Sequence, residues 1–377
     1  MNLIENIEVG DTFTATLRVL EKQHDNRTLI FECRSLDEQT QTVVTATEKV
    51  SRPSSQLASA DLGEKRRSYD EELIAQKGSY APLTTAIIHP VDANSLIGAI
   101  ESAKAGLIIP VLVGPEAKIR AVADQENIDI SAYELISTEH SHAAAAKAVE
   151  LVHQGRVEAL MKGKLHTDEF MEPIVVKVGG LRTGRRMSHV LVVDIPSYHK
   201  PLFITDAALN IRPNLTDKKD IVQNAIDLFL AIRPDIPKVA IVSAVETVDE
   251  NIPSTLDATA LCKMAERGQI TGGILDGPLA MDNAISRAAA AAKNIVSEVA
   301  GDADIIVAPD MEAANMLSKQ LTYLFGIEAP GIVLGAKVPI ILTSRAASSE
   351  GLTRQASCAL ALLFVRHQGL PDIKEQK

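Results

Sequence analysis

Thr84-Thr85-Ala86-Ile87-Ile88 and, further on, Pro110-Val111-Leu112-Val113-Gly114 decide the fold. Each is a short apolar run, and each is followed by a segment of helical character, over 95–105 and from 116 to 125 respectively. A strand covered on both faces reads as a continuous apolar run, and strand–helix–strand repeats imply right-handed crossovers. The two runs therefore predict neighbouring strands of a mostly parallel sheet with helices packed on it.

The same texture extends towards the C-terminus. Strands are expected over 157–161, 189–194, 202–205, 239–243, 273–276, 305–308 and 338–342. Helices are expected over 140–154, 218–232, 255–268, 283–300, 313–325 and 349–366. The alternating run is longer than a typical domain, so the expectation is an α/β fold of two lobes with a cleft between them. The first lobe is assigned to 81–187 plus 347–377, and the second to 188–346.

Towards the N-terminus the character changes. Thr12 to Val19, Leu29 to Cys33 and Thr42 to Thr47 are rich in β-branched residues and separated by turn formers such as His24-Asp25-Asn26-Arg27. Residues 1–52 are thus expected to form a short antiparallel β segment of about three strands. A polar, charged linker over 53–80 turns helical around 68–77.

Composition limits the function. The chain has 377 residues, 46% of them hydrophobic but only 3% aromatic and none Trp, so the core is built from Ala, Val, Ile and Leu. A formal net charge of -11 argues against a general nucleic-acid binder, which must neutralise runs of phosphates. Cys33, Cys262 and Cys358 lie far apart with no CxxC pair, which fits reduced, packed thiols rather than zinc or disulfides. Glu5, Glu8 and Asp11 interrupt any signal segment, and no apolar run is long enough to span a bilayer. A cytoplasmic protein without a membrane partner is expected.

Open parallel sheets bind ligands beyond the carboxyl ends of their strands, beside helix N-termini. Three such positions carry suitable residues. Thr343-Ser344-Arg345 follows a strand and precedes a helix, so a hydroxyl and a guanidinium stand where an anion is favoured. The same tripeptide also suits a plain helix cap. Lys162-Gly163-Lys164 puts two cations around a flexible turn, and Gly179-Gly180-Leu181-Arg182-Thr183-Gly184-Arg185-Arg186 leads three arginines into Ser188-His189. In an acidic chain this clustering points to a pocket for phosphate groups. No G-x-G-x-x-G follows the early strands, and neither a P-loop nor H-E-x-x-H occurs. Asp276, Asp282, Asp304 and Asp310 lie near strand ends, but such residues serve more often as caps and turn formers.

At these residues the chain, from about Thr84 to Phe364, resembles the phosphate acetyl/butyryltransferase family. The matching pieces include Met161-Lys162-Gly163, Leu181-Arg182-Thr183-Gly184 with Ser188-His189, and Ser243-Ala244-Val245-Glu246. Further ones are Gly272 to Pro278, Ala303 to Asp310 with Asn315, and Thr343-Ser344-Arg345, and the details lean towards the butyryltransferase-like branch. The resemblance implies a fold similar to the isocitrate dehydrogenase type and a homodimer. It implies transfer of an acyl group between acyl-CoA and inorganic phosphate in one ternary complex. Coenzyme A is then a substrate, and neither a metal nor a bound organic cofactor is expected. By the same resemblance Ser344 holds the thiol and Arg345 binds phosphate, while Lys162, Lys164, Arg182, Thr183, Arg185, Ser188 and His189 bind phosphate or CoA. The acetyltransferase branch carries an Asp, read as the base, seven residues after that Ser. Gly351 stands there in this chain, which makes Glu350 the nearest candidate base or simply a partner of the helix dipole.

Val9 to Thr14, Glu21-Lys22 and the strands to Val50 resemble the second half of a MaoC-like hot-dog hydratase domain. The catalytic half would lie upstream of Met1, and hydratase activity is not expected. Besides acyl transfer, a non-catalytic acyl-CoA binder fits the same pocket. An NAD-linked dehydrogenase of related fold lacks an identifiable nicotinamide site.

Overall fold

The computed structural model describes residues 2–3, 14–22, 28–36, 42–51, 69–342 and 350–369, in two compact units, Met1–Arg66 and Arg67–Lys377. In the first unit, β1 (Asn2–Leu3), β2 (Thr14–Lys22), β3 (Thr28–Leu36) and β4 (Thr42–Ser51) form a sheet ordered β1-β4-β3-β2. All its pairings are antiparallel, with β2, β3 and β4 as a meander.

The second unit opens with α1 (Tyr69–Ala75), β5 (Leu83–Ile88), α2 (Ala93–Lys104), β6 (Ile108–Gly114), α3 (Glu116–Gln125) and β7 (Glu134–Ser137). It continues through α4 (Ser141–His153), β8 (Ala159–Lys162), α5 (Thr167–Val175), β9 (Ser188–Val193), β10 (Leu202–Thr205) and α6 (Leu215–Ile232). Then come β11 (Lys238–Val242), α7 (Pro253–Glu266), β12 (Ile274–Leu279), α8 (Met281–Ile285), α9 (Arg287–Ala292) and β13 (Ile305–Val307). The unit closes with α10 (Met311–Phe325), β14 (Gly331–Leu334), β15 (Ile340–Ile341) and α11 (Glu350–His367).

One sheet of eleven strands runs through this unit, ordered β12-β11-β13-β10-β9-β14-β15-β8-β5-β6-β7. Strands β15, β8, β5, β6 and β7 are parallel, as are β12, β11, β13 and β10. The two blocks meet at β9 and β14, each antiparallel to both its neighbours. An odd number of antiparallel steps separates the blocks, so their carboxyl ends lie at opposite edges of the sheet. Helices α1, α2, α6, α7 and α11 cover one face, where Ile87, Met161, Val190, Phe203 and Ile341 are fully or almost fully buried. Helices α4, α5, α8 and α10 cover the other. The residues of the central strands are mostly apolar and buried on both faces, which is why those strands read as continuous runs, whereas the edge strands β7 and β12 are only partly covered.

One expected element is divided in the structure, and three elements were not expected. The helix expected over 283–300 is two short ones, because Ser286 adopts an extended backbone and caps α9 by accepting from the Ala289 N–H at 3.3 Å. The strand expected over 189–194 is present as β9 and runs antiparallel to both its neighbours within the mostly parallel sheet. Strands β7 and β14 and helix α5, which holds Pro173, escaped the periodic reading.

Candidate active site

Strand β8 delivers Lys162 to the carboxyl edge of its block. There Gly163 donates its N–H to the Ile88 carbonyl at 2.9 Å, and a Cβ on Gly163 would lie 2.5 Å from that oxygen. Only glycine lets the turn pass so close to β5. Next door, His166 precedes α5, whose first turn carries Thr167.

Strand β9 supplies His189 from the middle of the sheet. The side chain faces the α5/α10 side, is 5% exposed, and sets Nε2 3.3 Å from the carbonyl oxygen of Leu342. Nδ1 has no partner among the described residues. Burial holds the imidazole below its ordinary range, although the Asp206 carboxylate and the Leu342 carbonyl both pull it up. His189 is thus neutral near pH 7 and can accept a proton or hydrogen bond at one nitrogen.

Behind it, Asp206 directly follows β10 and is itself buried. Its carboxylate accepts the backbone N–H groups of His189 (2.9 Å), Ala208 (3.2 Å), Leu209 (3.2 Å) and Asn210 (2.9 Å), and also the Asn210 side-chain amide. Five donors on one carboxylate satisfy a buried charge and fix the 206–210 turn relative to β9.

These parts enclose a cavity of 390 Å³ over β9, bounded by Lys162, His166, His189, Asn315, Lys319 and Leu342, with hydroxyls from Thr167, Ser318 and Thr322. Helix α10 is set on this face by Asp310, which caps it at Ala313 N (2.9 Å), and by Asn315, which donates to the Ala207 carbonyl at 3.1 Å. A second cavity of 390 Å³ shares Thr167 and Ala208 with the first and reaches along α5 to Arg182, Arg185 and Arg186.

The structure therefore brings Lys162 and His189 together, and Arg182 with Arg185 in the adjoining space. It leaves three expected residues outside both cavities. Ser188 lies on the opposite face of β9, accepting from the Asn224 side chain at 2.8 Å. Thr183 donates to the Gly335 carbonyl at 2.7 Å, and Lys164 is exposed, with its backbone tied to His89. Residues 343–349, with Ser344 and Arg345, lie outside the described residues, as does the side chain of Glu350 at the start of α11. Leu342 is the described residue that leads into them. Sequence reasoning missed Asp206, Thr167, Ser318, Lys319 and Thr322. Asp206 could have been found as the first residue after the strand over 202–205, whereas the α10 residues carry no motif. Of the strand-end aspartates, Asp304 pairs with Lys200 at 2.7 Å, Asp310 caps α10, and Asp276 accepts from Gly277 N at 2.8 Å.

Fold and cavity together define an α/β protein with a cleft carrying Lys162, Lys319, His166 and His189 over a single large sheet. The family signature described as "Phosphate acetyl/butaryl transferase" matches residues 136–360. A phosphate acetyltransferase of Rhizobium meliloti is 59% identical over 294 residues, covering 78% of this chain and 92% of that one. A phosphate butyryltransferase of Clostridium acetobutylicum is 40% identical over 292 residues, with 78% and 96% covered. The branched-chain phosphotransacylase from Enterococcus faecalis V583 superposes with a TM-score of 0.64 at 26% identity, covering 74% of this chain and 99% of that one. The chain belongs to the phosphate acetyl/butyryl transferase family of acyltransferases.

Proposed function

We propose that the protein catalyses acyl-CoA + phosphate = acyl phosphate + CoA, with an acetyl or butyryl group, in a ternary complex and with no bound cofactor. A phosphate oxygen attacks the thioester carbonyl, the carbon–sulfur bond breaks, and CoA leaves as the thiolate that then takes a proton. Family membership over most of the chain supports this chemistry, and so does the cavity that brings Lys162, His189 and the Leu342 end of β15 together. Cations and N–H donors aimed at developing oxyanion charge in a water-poor cleft are what such a transfer needs. Arg345 binds phosphate and stabilises the charge on the transferring group, Ser344 holds the thiol, and Glu350 is the candidate base. Holding both reactants in line accounts for the remaining cationic residues. The same reading makes the enzyme a cytoplasmic homodimer whose two lobes, 81–187 with 347–377 and 188–346, close on the substrates. Among the described residues, no helix is long and apolar enough to cross a membrane.

The test is thiol release from acetyl-CoA and butyryl-CoA, with and without phosphate, in wild type and Arg345→Ala. Phosphate-dependent release that drops by about 10²-fold or more in the variant is expected. The better thioester identifies the acyl group. A folded protein that binds CoA but releases no thiol from either would overturn acyl transfer in favour of a plain binder.

A further inference from the structure

The turn that follows Lys162 is held from the neighbouring strand by one side chain. His89 directly follows β5 and lies level with Gly163, since Ile88 pairs with Lys162 across β5 and β8. Three hydrogen bonds tie the turn to this strand end. Gly163 N–H donates to the Ile88 carbonyl at 2.9 Å, and Lys164 N–H donates to the His89 carbonyl at 3.0 Å. The third bond runs the other way: the His89 ring donates from Nδ1 to the Lys164 carbonyl at 2.6 Å. A carbonyl oxygen only accepts, so the contact selects a ring that carries its proton on Nδ1. Any residue at 89 can make the main-chain bonds. Only the ring makes the third.

The backbone at His89 lies in the left-handed region, with φ at 56°, where a Cβ is disfavoured and glycine is not. Its own N–H is fixed to the Val113 carbonyl of β6 at 2.7 Å, so the ring stands on a firm base. Had the chain reversal been the whole requirement, glycine would meet it without strain. A side chain kept in a strained position points to work done by that side chain. Between Lys162 and Lys164 lies Gly163, the joint with the greatest conformational freedom in the turn. The ring closes the chain around that joint and restricts the direction in which Lys162 leaves β8. Lys162 lines the cavity beside His189, whereas His89 lines neither that cavity nor the adjoining one. Its effect on the chemistry must then pass through the turn.

We infer that His89 is the positioning residue of the Lys162–Lys164 turn, its ring holding the Lys164 carbonyl so that the Lys162 ammonium is aimed at the reacting end of the cleft. This assignment rests on the acyl-transfer reading above and adds a residue that acts on the reaction without touching the reactants.

Two substitutions separate the ring from the backbone. His89→Gly relieves the strain and removes the ring, while His89→Asn tolerates the left-handed region and keeps a side-chain N–H near the place of Nδ1. Thiol release is followed with phosphate and the better of acetyl-CoA and butyryl-CoA. The glycine variant is expected to lose about tenfold in kcat, the worth of one well-placed contact. KM for either substrate is expected to move by less than about twofold, because the misplaced cation is missed mainly in the transition state. The asparagine variant is expected to stay within about threefold of wild-type kcat. An unchanged kcat in the glycine variant, equal losses in both variants, or a raised KM at constant kcat would each overturn the assignment. Amide hydrogen exchange over Gly163 and Lys164 tests the clamp without turnover. Faster exchange there is expected in the glycine variant and not in the asparagine variant, and identical exchange in all three proteins would overturn the clamp. If wild type released no thiol, the acyl-transfer reading would fall, and the exchange rates would still decide whether the ring holds the turn.

Discussion

The His189 ring reaches across β14 to Leu342 because Gly331 has no side chain: a Cβ there would lie 2.9 Å from His189 Nε2. It would also lie 2.8 Å from the Val190 carbonyl oxygen and 2.7 Å from a Leu191 methyl. One missing methyl group thus lets a residue of β9 contact the strand that leads into Thr343-Ser344-Arg345. Gly331→Ala is expected to cost about 1–3 kcal/mol through overpacking. It is also expected to lower kcat/KM by displacing the ring. Urea midpoints and thiol release under native conditions check the two effects separately. Wild-type activity in a destabilised variant would show that the His189–Leu342 contact does not serve the chemistry.

His189 also sets a pH dependence. Its imidazole titrates at about 6.5 in the unfolded chain, and burial depresses it in the folded protein. At pH 8 both states are neutral and no linkage arises. As pH falls below about 6.5 the unfolded chain takes up a proton that the folded one resists, so stability falls with falling pH. A His189→Gln variant lacks this proton. Urea unfolding from pH 8 to pH 5 is expected to show the wild type losing more stability than the variant across that window. Parallel curves would exclude His189 as the source.

How much of this the sequence announced depends on what each residue answers to. Ile87, Leu112 and Ile204 are buried on a sheet with both faces covered, so their runs were legible as strands. The reversal at β9 was not, because Val190 and Val192 would look the same in a parallel strand; direction is fixed by pairing with Gly331 to Leu334, a strand of four residues. Lys162 and His189 were legible because they follow or begin apolar runs and carry charge or a titratable ring. Ser188 looked equally suitable, and only the alternation along β9 turns its hydroxyl to Asn224 on the far face. Lys319 and Thr322 enter the cavity from α10, and a helix surface offers no local signal of what it will face.

At the other end of the sheet, away from the cavity, Arg366 of α11 and Glu158 before β8 form an ion pair at 2.8 Å, each side chain 8% exposed. Glu158 also accepts from Thr84 N at 2.9 Å, and Arg366 donates to the Ala81 carbonyl at 3.1 and 3.3 Å. Removing one partner leaves a buried charge uncompensated, so Arg366→Met is expected to cost about 3–5 kcal/mol. Adding Glu158→Gln is expected to recover a large part, since the remaining group is then neutral. Urea unfolding of the two single variants and the double variant reads the coupling. Additive losses would mean that the pair does not act as a unit.

Asp70 presents the opposite pH sign from His189. It lies in α1 with 6% exposure, and its Oδ2 has no partner among the described residues. Burial pushes its carboxyl up to about 7, and the negative charges of Glu328 and Asp194 add to the shift. The unfolded chain releases that proton at about pH 4. Between about pH 4 and pH 7 the folded state therefore binds more protons than the unfolded one, and stability falls as pH rises through that window. Asp70→Asn keeps the size and stays neutral. It is expected to be more stable than wild type at pH 8, with the difference shrinking as pH falls and gone near pH 4. Thermal or urea unfolding of both proteins at pH 4, 6 and 8 measures this. A wild type more stable than the variant at pH 8 would mean that ionised Asp70 is held by a favourable contact, and burial would no longer account for its carboxyl.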